Sequence, residues 1–109
     1  MSIKRDSGEL LLYSYKRYNE NSFKPLTEED LEKETRWDIH RIRRAMIYLR
    51  DEKLLEVQSS LLSPDFDLRI IRPTPQGINI IENERKFLKN FQFTANLGIF
   101  SFSWGANEK

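Results

Sequence analysis

The chain has 109 residues, the size of one ordinary domain, and is long enough to bury roughly two-thirds of the surface its unfolded form exposes. It contains no cysteine, which excludes a disulfide framework, a Cys-ligated zinc, a thiol nucleophile and an iron–sulfur cluster; one histidine argues against a His-rich metal site or a proton relay. Eighteen Lys and Arg nearly cancel seventeen Asp and Glu, no apolar window approaches a membrane span, and Lys4, Arg5, Asp6 and Glu9 stand where a signal peptide has its apolar core, so a soluble, cytoplasmic protein is expected.

The first apolar run, Leu10-Leu11-Leu12-Tyr13 followed by Tyr15 and Tyr18, predicts a helix over 8–20 with Leu11, Ser14, Tyr15 and Tyr18 on one face. Leu10 and Tyr13 point away from that stripe. Asn19, Asn21 and Ser22 supply turn chemistry after it. Thr27 can cap a short second helix over 27–35, with Asp30 as the reciprocal partner and an acidic first turn suited to the helix dipole. Asp38 caps a third helix over 38–53, whose apolar face is Ile39, Ile42, Ala45, Met46 and Leu49. Short helix, brief connection and longer helix is helix-turn-helix spacing.

Residues 54–60 then read as a strand, Ser63-Pro64-Asp65 as a turn and 66–72 as the returning strand of a β-hairpin. Thr74 caps a last helix over 75–90, with Pro75 at its first position, where the missing N–H costs nothing. The expected fold class is mainly α with a small β-hairpin, in the order α-α-α-β-β-α.

That order resembles the winged helix-turn-helix superfamily over about residues 8–90. The most specific parts are Leu26-Thr27-Glu28-Glu29-Asp30-Leu31, the passage from Leu49 to Val57, and Thr74-Pro75-Gln76-Gly77-Ile78. The last run is similar to the threonine-x-x-glycine opening of the helix after the wing in regulators of the MarR and PadR type. The resemblance implies a DNA-binding transcriptional regulator whose third helix lies in the major groove and reads base edges from its N-terminal half. It divides the chain into a winged-helix domain, 1–90, and an aromatic extension, 91–109.

The near-zero net charge hides two opposed blocks. Residues 36–50 carry five arginines against Asp38, whereas 28–34 carry five carboxylates against Lys33. With Ile42 facing the core, Trp37, His40 and Arg44 fall on the opposite face and Arg36, Arg41 and Arg43 on its flanks. Arginine's planar fork suits guanine edges and phosphates, His40 can donate to either, and Trp37 can pack on sugar or a thymine methyl. With Arg69 on the returning strand, these are the candidate DNA contacts. The competing reading is a solvated face paired with the acidic helix beside it. The acidic second helix and the hairpin tip with Asp65 and Asp67 weigh against DNA, because phosphate contacts supply much of the affinity.

Phe91-Gln92-Phe93-Thr94-Ala95 and Phe100-Ser101-Phe102-Ser103-Trp104 alternate apolar with polar residues, which predicts extended strand bent at Gly98. Ile80, Phe87 and Phe91 add a second stripe to the last helix. Together with Leu10, Tyr13, Phe100, Phe102 and Trp104 they exceed what a three-helix core with a hairpin needs, so a homodimer interface is expected there; the alternative is that the tail folds over its own domain. No catalytic constellation, metal site or cofactor is implied, and no effector-sensing site can be identified. The expected partner is double-stranded DNA and not a membrane. The alternative function is a winged-helix protein-interaction module that does not bind DNA.

Overall fold

The computed structural model describes residues 2–20, 24–59, 62 and 67–93. Their elements run α1 (Ile3–Glu20), β1 (Leu26–Thr27), α2 (Glu28–Thr35), α3 (Ile39–Asp51), β2 (Leu55–Gln58), β3 (Arg69–Pro73), α4 (Pro75–Ile81) and α5 (Glu84–Phe91). The architecture is mainly helical with a small three-stranded antiparallel sheet in the order β1-β3-β2.

The predicted caps form as the side-chain chemistry requires. Thr27 Oγ1 accepts from the Asp30 backbone N–H at 3.1 Å while Asp30 Oδ2 accepts from that of Thr27 at 3.1 Å, a complete capping box. Asp38 caps α3, and Thr74 caps α4 with Pro75 in its first turn. The threonine-x-x-glycine run acquires a physical reason. Thr74 Oγ1 accepts from the Gly77 N–H at 3.0 Å and donates to the Lys53 carbonyl at 2.7 Å, which ties the start of α4 to the end of α3. A Cβ on Gly77 would lie 2.2 Å from the Leu54 carbonyl oxygen, so no side chain fits there.

Helix α1 begins earlier than its apolar pattern predicts, at Ile3, and is the centre of the fold. Nine consecutive residues, Asp6 to Ser14, are buried, because α3, β3, α4 and α5 all pack around it. A helix enclosed on every side does not show a single stripe. Leu10 and Tyr13, expected as surplus interface surface, are therefore core residues.

Two further differences concern short elements. The strand β1 was not expected; its two residues pair with β3, Leu26 opposite Ile70 and Thr27 opposite Arg69. The single last helix is two, since Asn83 takes extended backbone and its side chain caps α5 through the Lys86 N–H at 3.2 Å. The break turns α5 back on the core. Phe87 and Phe91 are buried with ring centroids 5.1 Å apart, and Phe93 stacks on Phe87 at 5.5 Å. Gly8 makes this possible, because a Cβ there would stand 2.7 Å from Phe91. Phe87 and Phe91 thus cover their own domain rather than a partner, and the extended segment expected from Phe91 is instead the end of a helix, closed by Gln92 in the left-handed region. The expected turn at 63–65, the bend at Gly98, and Phe100, Phe102 and Trp104 lie outside the described residues.

Candidate nucleic-acid interface

The face in question is built by the α2–α3 connection. Thr35 Oγ1 donates to the Leu31 carbonyl at 2.7 Å and accepts from the Trp37 N–H at 3.0 Å, closing the last turn of α2. Arg36 then takes φ 63°, the left-handed conformation that ends a helix, and Asp38 starts α3 by accepting from the Arg41 N–H at 2.9 Å. That hydrogen bond is the largest of the effects that hold the Asp38 carboxyl below the usual carboxylate range. Ile42, Ala45, Met46 and Leu49 face inward, as their spacing predicts.

The seven candidate residues separate into three groups. Trp37 belongs to the core: it is 7% exposed, and so is withdrawn from the surface on which sugar or thymine contact was expected. The flanking arginines are engaged within the fold. Arg41 makes a two-pronged pair with Asp6 of α1, Nε to Oδ2 at 2.8 Å and Nη2 to Oδ1 at 2.9 Å, and its guanidinium lies 4.2 Å from the Trp37 ring centroid. Arg43 makes the same kind of pair with Glu28 of α2, at 2.7 and 3.0 Å. Glu28 Oε2 also accepts from the Leu68 N–H at 3.1 Å, so one carboxylate joins α2, α3 and the approach to β3. The Arg43 guanidinium and then the Leu68 amide hold the Glu28 carboxyl below its ordinary value against the opposing effect of burial.

The third group is Arg36, His40, Arg44 and Arg69. All four are exposed, and none of their side chains makes a hydrogen bond or ion pair to a described residue. On the neighbouring strand pair, Arg72 is paired with Glu56 across the β2–β3 ladder at 2.8 Å. The pairing expected between the α3 arginines and the acidic helix is thus seen, among the described residues, for Arg43 with Glu28. It removes Glu28 from the free carboxylates of α2, as the 3.9 Å contact to Lys33 does in part for Glu29.

The residues missed in the sequence are Asp6 and Glu28. Asp6 lies 35 positions from Arg41, beyond any local spacing rule, and Glu28 is indistinguishable in the sequence from its acidic neighbours. Among the described residues no group of His, Asp and Glu is placed to hold a metal ion, and no helix is long and apolar enough to cross a membrane. Comparison of the chain with protein-family models, with curated proteins and with solved structures finds no match.

Proposed function

We propose that the protein is a DNA-binding transcriptional regulator of winged helix-turn-helix form that offers the outer face of α3 to the major groove. The observation that carries this reading is a set of exposed side chains that make no hydrogen bond or ion pair to a described residue: the guanidinium of Arg36 in the connection and that of Arg44 on α3, with the His40 imidazole one turn before Arg44. The order of three helices, an antiparallel strand pair and a following helix supports it, and Arg69, at the loop end of that pair, is a further phosphate-contacting candidate. Arg41 and Arg43 act as supports that set the angle of α3 against α1 and α2. Two copies about a two-fold axis would present their α3 helices to successive major grooves about 34 Å apart. With Leu10, Tyr13, Phe87 and Phe91 inside the core and Ile80 packed against it, that assembly falls to the tail residues Phe100, Phe102 and Trp104.

The test is fluorescence anisotropy with pooled random duplexes across a salt series. Arg44→Ala is expected to weaken binding by about 1–3 kcal/mol if the side chain reaches a base, or to lower the salt slope by about one if it reaches a phosphate. Thermal stability should change little, since the Arg44 side chain is exposed and makes no hydrogen bond or ion pair to a described residue. Wild-type protein without affinity for any pooled duplex at low salt refutes the proposal and favours the protein-interaction module, to which the engagement of Arg41 and Arg43 already lends weight.

A further inference from the structure

A cleft of about 600 Å³ opens where the first turn of α1 meets α4 and α5. Among the described residues its charged lining is Lys4 from α1 with Lys86 and Lys89 from α5, with no carboxylate. None of the three lysines makes an ion pair to a described residue. Three carboxamides, Gln76 and Asn79 on α4 and Asn90 on α5, complete the polar rim, and half-buried Ile80 is the apolar member.

Three like charges in one concavity raise the local potential and disfavour leaving it without a counter-ion. The kind of anion follows from the donors. A carboxylate is best met by arginine's planar fork, whereas an ammonium is a compact charge with three rotatable donors, suited to the clustered oxygens of phosphate. Three ammonium groups match the charge of two linked phosphates better than that of one. Side-chain amides offer donors and acceptors together, which suits an uncharged polar ring, and the cleft falls in the size range of roughly 300–1,000 Å³ typical of small-ligand sites.

We propose that this cleft binds an organic diphosphate, with Lys4, Lys86 and Lys89 on the phosphates and the carboxamides and Ile80 on the organic part. The cations of α3 do not line it, so the proposal stands or falls separately from DNA binding.

The experiment is titration of 15N-labelled full-length protein with inorganic pyrophosphate, ADP and adenosine, followed by amide shifts. Saturable shifts centred on Lys4, Asn79, Lys86, Lys89 and Asn90 are expected with pyrophosphate and with ADP. ADP should bind more tightly than pyrophosphate, and adenosine more weakly than either. The double variant Lys86→Ala with Lys89→Ala should weaken ADP at least about tenfold while keeping its far-UV circular dichroism, because both side chains are exposed. Arg44→Ala, distant in the sequence and outside the cleft, should leave ADP binding unchanged. The proposal is overturned if shifts do not saturate, if adenosine binds as well as ADP, if the double variant binds like wild type, or if only a DNA duplex perturbs these residues.

Discussion

The two sides of α3 carry the same residue type and hold it in opposite states. Arg41 and Arg43 are clamped in two-pronged carboxylate pairs that join α3 to α1 and α2, whereas Arg44, one position further on, is exposed and makes no ion pair to a described residue. The charge of a helix is therefore a poor measure of the charge it offers to a partner. At the clamped positions the geometry is bidentate, and the Glu28 and Asp6 side chains are only 13% and 8% exposed, so these pairs lie outside the class of surface salt bridges that contribute little. The Arg44 and Arg36 guanidinium groups make no hydrogen bond or ion pair to a described residue, Arg44 acting on Asp38 through its charge alone.

The comparison is tested most severely by Glu28→Ala. This removes the acceptor that the Arg43 guanidinium and the Leu68 N–H share, and should cost about 2–3 kcal/mol in urea unfolding. A loss below about 0.5 kcal/mol would place Arg43 with the exposed arginines. The pH dependence is a gentler test of the same pair. Because the folded-state value of the Glu28 carboxyl is lowered, its contribution is present at neutral pH and is lost as pH falls through the ordinary carboxylate range and past the folded value. The stability gap between wild type and Glu28→Gln should accordingly narrow as the solution is acidified, and a gap constant from neutral to acid pH would rule the ionic account out. The smallest effect, opposite in sign, is expected on the exposed side. Arg36→Gly relieves a left-handed backbone conformation, and should raise stability by about 0.5–1 kcal/mol while removing one free cation. A thermal scan beside a duplex titration reads both, and lowered stability would mean that Arg36 has an unseen structural role.

Much of the helical frame was legible because its signals are local. Thr27 with Asp30, Asp38, and Thr74 with Pro75 each satisfy backbone groups within the next turn, so the types and spacing of a few residues suffice. The same locality explains the partial failures. Asn83 is a capping residue inside a run that reads as continuous helix, and it proved to divide α4 from α5. Strand β1 has two residues, too few for any alternation to register, and exists because β3 offers it an edge. At the candidate interface the outer positions of α3 followed from helical spacing. Trp37 did not, since it precedes the helix and its direction is set by the turn that Thr35 and Arg36 make.

By itself, the sequence determined where α2, α3 and α4 start, which face of α3 is apolar, and that α3 is rich in arginine, because each of these depends on groups within a few residues of one another. Only the tertiary structure decided which arginines are free and which aromatic residues are surplus. Asp6 reaches Arg41 across 35 positions, and the middle of α1, Asp6 to Ser14, is buried with α5 folded back over Gly8. Contacts of that kind are chosen by the packing of whole elements, so Leu10, Phe87 and Phe91 look like an unmatched apolar surface along the chain and are the centre of the core in space.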